Sequence, residues 1–418
     1  MSEGTTPVSV SGMSTGRWVA VAAILGLALR LAFALLYWTH QPMTRDEHEY
    51  LSLARSLRAG AGYVYDAELL KNGIQPFGRA PGYPAFLALV GGGDAVTTSV
   101  PSSVKIAQSI VGALGIVLVA MLAADLAGAR AARTAAFIAA VYPPLVWIAA
   151  YAFSEALFWP LGLLVAWLVN RVVRGPDERY RLAVTGGLVA GAAILVRPMM
   201  VVFPPLACAW LIWRRRWKSA AALALGVAFA IVPWSIRTSL SHERFVPLAS
   251  EGGITFWTGN HALAIGDGDM AANPRIKVAQ QALRAEHPTL TEEQMEPVYY
   301  REAFQWIVAH PFDWLVLEMR KIFYLVVPVG PSYTLHSRLY IVGSVVPYLL
   351  VLPLALMGVF SARPRLGRAV GLWLLAGASM LICLIFFPQE RFRLPIVDPT
   401  LIVCAAAWLA RPRKEAHA

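Results

Sequence analysis

Charge is scarce in this chain of 418 residues: Asp, Glu, Lys and Arg make up 15% of it, against roughly 25% in an average soluble domain. Hydrophobic residues make up 57% and the mean hydropathy is +0.56, which excludes one or two ordinary water-soluble domains. Cysteine is scarcer still. Cys208, Cys383 and Cys404 all lie in apolar runs, so neither a disulfide framework nor a CxxC metal motif is available; they read as small buried hydrophobes. There is no P-loop, no GxGxxG after a soluble strand and no HExxH, which argues against nucleotide-driven chemistry on this chain. GMSTG at 12–16 matches GxSxG in letters only, without the strand, turn and helix that motif needs. GDGD at 266–269, with Asn273 after it, lacks the closing Glu of a calcium loop and reads as a polar turn.

What is present is long apolar sequence. A helix needs about 20 apolar residues to cross a hydrocarbon core about 30 Å thick. Ten stretches approach that length: 18–38, 104–126, 131–151, 153–173, 181–197, 199–213, 217–236, 339–360, 367–388 and 395–410. Two more apolar segments, 80–91 and 312–329, either cross or lie along the membrane surface. Basic clusters decide between these. Arg130 and Arg133; Arg171, Arg174, Arg179 and Arg181; Arg214, Arg215, Arg216 and Lys218; Arg363, Arg365 and Arg368; and Arg411, Arg413 and Lys414 all flank spans. Short loops rich in Lys and Arg stay cytoplasmic, and all five clusters share one side only if 80–91 and 312–329 do not cross.

That layout predicts cytoplasmic tails at 1–17 and 411–418 and a transmembrane module over 18–236 with a first outer loop at 39–103. A second outer loop covers 237–338, and C-terminal spans cover 339–410. The net charge of +11, which in a soluble protein would suggest a nucleic-acid partner, becomes an orientation signal, and no nucleic acid is expected. Ala32-Phe33-Ala34 has the form of a signal cleavage site, but the apolar run continues to Trp38, so the first span is expected to be a retained signal-anchor. Arg30, Glu155, Arg197 and Asp398 fall in the outer half of their spans, where such groups should face a wet cavity or one another. Gly187 and Gly191 form a GxxxG, a sign of close helix packing.

The outer loops carry the chemical candidates. Thr44 and Glu47 form a capping box opening an amphipathic helix at about 46–58. Asp46, Tyr50, Leu53 and Leu57 share one face of it. A first-turn carboxylate stabilises a helix through its dipole, and at a membrane surface it can also accept a proton from an incoming hydroxyl. GRAPGYPAFLALV begins at Gly78, and Pro81 and Pro84 re-aim the chain beside Arg79. A guanidinium there suits a phosphate oxygen pair or a lipid head group. Arg237, Arg391 and Arg393 also fall at the outer surface, where they could share phosphate binding. Lys321 and Arg320 are expected to be solvated surface charge, with acidic head groups as the other reading.

DEHEY at 46–50, GRAPGYP at 78–84, SEALF at 154–158, VRP at 196–198, PWSIR at 233–237 followed by RFVPLASEGG and TGN at 258–260, and RFRLP at 391–395 together resemble a known family. It is the bacterial branch of the family containing dolichyl-phosphate-mannose protein mannosyltransferases and lipid A aminoarabinose transferases. The resemblance extends from about residue 18 to 410. It implies an all-α polytopic membrane protein with the GT-C fold, with long outer loops after spans one and seven. It implies transfer of a sugar from a polyprenyl-phosphate donor to a lipid, cell-envelope glycan or protein hydroxyl, with inversion. The reaction would lie on the outer face of the bacterial cytoplasmic membrane.

In that picture Asp46 is catalytic, and Glu47, Arg79, Tyr83, Arg237, Arg391 and Arg393 bind substrate. The arginines would neutralise the phosphate leaving group. The aminoarabinose transferases have a Glu, implicated in metal binding, immediately before the basic residue that Arg79 matches. Gly78 stands at that position here, so no metal ligand is assigned, and a divalent metal is the one cofactor left open. The segments 80–91 and 312–329 would lie in the interface and help admit the prenyl tail. A polyprenyl-linked transporter or flippase is the alternative, but no internal repeat appears and the long asymmetric outer loops favour an enzyme. A ligase moving a whole oligosaccharide would share the carrier chemistry.

Overall fold

In a computed structural model the chain is described over residues 13–70, 78–94, 96, 98–176 and 179–411, and every regular element there is helical. The tail segments 1–12 and 412–418 lie outside the described residues. Lipid leaves an apolar segment little choice, because each backbone N–H and C=O must pair within the segment, as a helix allows. The elements are α1 (Thr15–Ala32), continued by a π-turn over Phe33–Tyr37; α2 (Arg45–Arg58) and α3 (Gly82–Leu89) in the first long loop; α4 (Ser102–Ala127), α5 (Ala129–Val141), α6 (Glu155–Arg174), α7 (Tyr180–Val196), α8 (Phe203–Trp213) and α9 (Trp217–Ser241); α10 (Gly252–Gly259), α11 (Pro274–Ala285), α12 (Glu292–Ala309) and α13 (Pro311–Val326) in the second long loop; and α14 (Arg338–Ala362), α15 (Val370–Ile385) and α16 (Val397–Leu409).

All ten predicted apolar stretches are helical. Thr15–Tyr37, Ser102–Ala127, Glu155–Arg174, Trp217–Ser241 and the 48-residue run Arg338–Ile385 are long and apolar enough to cross a membrane. The last contains α14 and α15, joined by a 3-10 stretch at Arg363–Ala369. The stretch expected at 131–151 is bent by 64° between Ala129–Val141 and Pro143–Ala150, where Pro143 and Pro144 remove two backbone donors. Tyr180–Val196, Pro198–Trp213 and Val397–Leu409 are apolar but shorter. Neither α3 nor α13 belongs to this set.

Helix α4 is central, packed against α1, α5, α6 and α16. Helices α7 and α9 approach closely. A Cβ on Gly187 would lie 2.1 Å from Leu223 O, and one on Gly226 2.4 Å from Val184 O, so the GxxxG does bring two backbones together. At the ends of α4 and α6, Arg171 and Arg174 pair with Asp125. Arg216, between α8 and α9, donates to Val172 O at 2.6 Å, so two of the predicted basic clusters share one end of the bundle.

The second long loop has its own apolar core, including Ile254, Trp257, Met295 and Tyr299. It is pinned to the bundle by Lys321, whose Nζ donates to Asn260 Oδ1 (3.1 Å), Glu318 Oε1 (2.6 Å) and Leu384 O (2.9 Å). Lys321 is fully buried, which corrects the expectation of solvated charge; Arg320 beside it is exposed. One helical step separates the two faces of α13. Asn260 also accepts from Trp314 Nε1 (3.1 Å) and donates to Phe256 O and Ile385 O (both 2.9 Å), so TGN is a junction. GDGD is a turn whose Asp267 accepts from Asp269 N and Ser332 N (both 3.0 Å).

The four ionisable residues expected in the outer half of the spans divide. Glu155 pairs with Arg197 at 2.9 Å and Asp398 with Arg393 at 2.9 Å. Arg30 is buried among α1, α4 and α6 and finds no carboxylate. Its Nη1 donates to Gly26 O (2.9 Å), its Cζ lies 6.0 Å from the Trp159 ring centroid, and its Nε and Nη2 have no partner among the described residues.

Candidate active site

Thr44 starts the site. Its hydroxyl accepts from Glu47 N (3.4 Å) while its own N–H donates to Glu47 Oε2 (2.7 Å), and this capping box fixes where α2 begins. Asp46 and Glu49, three residues apart, therefore emerge from neighbouring positions on one face. Both meet Arg79, which the Pro81 bend carries back to α2. Arg79 Nη2 donates to Asp46 Oδ1 (2.8 Å), Nε to Glu49 Oε2 (2.8 Å) and Nη1 to Glu251 Oε2 (2.8 Å). Its Cζ lies 5.2 Å from the Tyr50 ring centroid.

The other oxygen of Asp46 accepts from Arg391 Nη1 at 2.7 Å. Arg391 Nε also lies 3.8 Å from Glu155, which pairs with Arg197. Charge thus alternates along Glu251, Arg79, Asp46, Arg391, Glu155 and Arg197. With Arg45, which binds Glu49 at 2.8 Å, the carboxylates of Asp46, Glu49, Glu155 and Glu251 face an equal number of guanidinium groups. A buried ionic cluster needs such pairing to offset its desolvation.

Burial raises the Asp46 carboxyl, but Arg79 and Arg391 outweigh it and hold it well below the usual carboxylate range. Burial also raises Glu251, and Arg79 compensates only in part. The Tyr50 hydroxyl, buried beside these carboxylates, is pushed up to about 12.

Arg79 also borders a cavity of about 660 Å³, lined by Tyr63, Tyr65, Trp234 and Arg237 among others. Arg237 Cζ lies 5.1 Å from the Trp234 ring centroid and 5.8 Å from that of Tyr63. Tyr63 OH lies 2.9 Å from Arg79 O and 3.0 Å from Ala80 O, within donating distance of both. Two long loops and the end of α9 therefore meet at one place, and Arg79 connects the cavity to Asp46.

Of the sequence-predicted residues, Asp46, Arg79 and Arg391 come together, and Arg237 joins them through the cavity. Three lie behind the site. Glu47 is buried, with Oε1 accepting from Ala152 N (2.9 Å) and Oε2 committed to Thr44. Tyr83 is buried, donates to Gln108 Oε1 (2.6 Å) and packs edge-on against Tyr50 at 4.9 Å. Arg393 is held by Asp398, with its Cζ 3.8 Å from the Tyr348 ring centroid. In this structure the polar groups of all three, expected to bind substrate, are engaged by partners within the chain.

Within the chain the fold agrees with known proteins. Residues 79–237 match the family model of dolichyl-phosphate-mannose-protein mannosyltransferases, a stretch bounded by the two cavity arginines. No curated protein matches the sequence. Among solved structures, ArnT from Cupriavidus metallidurans bound to undecaprenyl phosphate matches with a TM-score of 0.57 and 16% identity, covering 96% of this chain and 61% of that one. Its apo state matches with a TM-score of 0.58 and 16% identity, over 95% and 60%. The chain has an ArnT-like GT-C fold. The archaeal oligosaccharyltransferase AglB from Archaeoglobus fulgidus, in complex with an inhibitory peptide and a dolichol-phosphate, matches with a TM-score of 0.55 and 13% identity, over 94% and 50%. The chain therefore spans between half and about three fifths of the length of these structures.

Gly78 brings no side-chain ligand to a metal at this point. Gly78 N donates to Ser250 Oγ (2.7 Å) and Ser250 N to Gly78 O (2.9 Å), and a Cβ on Gly78 would lie 2.8 Å from that Oγ. The carboxylates of Asp46, Glu49 and Glu251 all hold the Arg79 guanidinium. Among the described residues no group of three His, Cys, Asp or Glu side chains is placed to share a metal.

Sequence reasoning missed Glu49 and Glu251 as members of the site. Glu49 carried a usable signal, since i, i+3 spacing puts it beside Asp46. Glu251 had only its place in RFVPLASEGG, because its partner Arg79 lies 172 residues away.

Proposed function

We propose that this membrane protein is a glycosyltransferase that moves a sugar from a polyprenyl-phosphate donor to an acceptor hydroxyl on the outer face of the bacterial cytoplasmic membrane. The observation that carries this reading is Arg79, which borders the 660 Å³ cavity and also binds Asp46. Arg79 and Arg237 hold the donor phosphate in the cavity, while membrane lipid surrounds the prenyl chain. The acceptor oxygen attacks the anomeric carbon from the side opposite the phosphate, and a new C–O bond forms with inversion. The carbon–phosphate oxygen bond breaks, and its electron pair leaves on polyprenyl phosphate. The acceptor proton passes to Asp46. Prepositioned guanidinium groups in a poorly hydrated site stabilise the charge that develops on the leaving group.

Asp46 is ionised at neutral pH and its two oxygens are occupied by Arg79 and Arg391. Donor phosphate drawing on Arg79 frees one oxygen for the acceptor. The undecaprenyl phosphate in the ArnT structure and the dolichol-phosphate in the AglB structure support a lipid-phosphate ligand.

Lipid and glycan profiling of a deletion strain tests this, with complementation by wild type or by Asp46→Asn. The variant is expected to insert normally, to leave the sugar missing from its acceptor and to let polyprenyl-phosphate sugar accumulate. Full restoration by Asp46→Asn would remove Asp46 from catalysis, and an unchanged profile in the deletion strain would count against transfer itself.

A further inference from the structure

We propose that Glu292 is a specificity-determining residue that accepts hydrogen bonds from the sugar of the lipid-linked donor. This rests on the donor reading above and adds to it a site for the sugar. Glu292 opens α12 just after its cap Thr291, and it lines the same 660 Å³ cavity as Arg79 and Arg237. It is 7% exposed. Its Oε1 faces Arg284 Nε at 3.4 Å, and its Oε2 has no hydrogen-bond partner among the described residues. Native structures seldom leave a buried carboxylate oxygen without a donor, and first-turn stabilisation of a helix needs no burial.

The charged groups acting on Glu292 are Arg284, Glu293 and Arg45. A cavity lined by the guanidinium groups of Arg79 and Arg237, the carboxylate of Glu292 and the rings of Tyr63, Tyr65 and Trp234 fits one ligand with matching parts. That ligand has a phosphate, an apolar ring face that stacks on aromatic side chains, and hydroxyl or ammonium donors. A sugar esterified to a lipid phosphate has all three. The volume falls within the roughly 300–1,000 Å³ of small-molecule sites.

The test measures binding to the full chain in nanodiscs of undecaprenyl phosphate and of undecaprenyl phosphate carrying glucose, mannose or 4-amino-4-deoxyarabinose. Wild type is expected to bind at least one sugar-bearing lipid about tenfold more tightly than bare undecaprenyl phosphate, about 1.4 kcal/mol. Glu292→Ala should lose most of that increment while binding the bare lipid as wild type does. Arg237→Gln should weaken all four lipids alike. Glu292→Gln, which keeps the side-chain shape, carries the test if the Ala variant does not fold. It should lose an amino-sugar increment wholly and a neutral-sugar increment in part.

An increment that survives in both Glu292 variants would overturn the proposal while leaving the donor reading intact. So would the absence of any preference for a sugar-bearing lipid in wild type. Failure of wild type to bind undecaprenyl phosphate at all would overturn the donor reading and this proposal together.

Discussion

Replacing Arg393 by Met should damage the fold and leave donor binding intact, although Arg393 sits in the same RFRLP segment as Arg391. Arg393 Nε lies 2.9 Å from Asp398 Oδ1, and the two side chains are 4% and 1% exposed. Removing one partner of such a pair strands the other and costs about 3–5 kcal/mol. Asp398 would keep the hydrogen bond from Tyr142 OH at 3.0 Å, which puts the expected loss near the lower end, about 3 kcal/mol. Arg393→Met combined with Asp398→Leu strands nothing and should recover most of it, for a coupling of about 2–3 kcal/mol. Thermal unfolding in detergent, followed by tryptophan fluorescence, reads the stability. Undecaprenyl phosphate affinity, measured below the melting transition, reads the site. An Arg393→Met variant that melts with wild type yet binds undecaprenyl phosphate tenfold more weakly would refute this reasoning and return Arg393 to the donor phosphate.

Two further outcomes follow from the same geometry. Because Arg79 and Arg391 hold Asp46 well below the usual carboxylate range, the transfer rate should show no acid limb from this group between about pH 5 and 8. In Arg391→Gln only Arg79 opposes burial, so the carboxyl titrates higher and activity disappears at a higher pH as the medium is acidified; an acid limb at lower pH than in wild type would contradict the pairing. Gly187→Leu should lower the melting temperature by overpacking α7 against α9, at a cost of about 1–3 kcal/mol or more. At the neighbouring Gly186 a Cβ meets only Leu168 Cβ at 3.6 Å, so Gly186→Ala should melt with wild type; equal effects of the two would argue against the close contact.

Arg79 shows how the site uses its surroundings. A lone guanidinium at that depth would be costly, and three carboxylates make it affordable. An incoming phosphate must compete with them. Under the proposed function the cluster would exchange partners as the donor phosphate enters the cavity.

Much of this protein was legible without coordinates. The ten helical apolar stretches follow from composition, because a backbone in lipid must satisfy its own polar groups. The start of α2 follows from Thr44 and Glu47, and the close α7–α9 contact from Gly187 and Gly191, since capping and small-residue packing act within a few residues. The candidacy of Asp46 and Arg79 followed from their loops and the family resemblance. Tertiary structure alone decided partners. It gave Arg391 to Asp46 across 345 residues and Arg393, two positions away, to Asp398. It buried Lys321 and left Arg320 exposed. The physical reason is that sequence spacing determines which face of a helix a side chain occupies, whereas an ion pair depends on which other helix or loop lies within about 4 Å of that face.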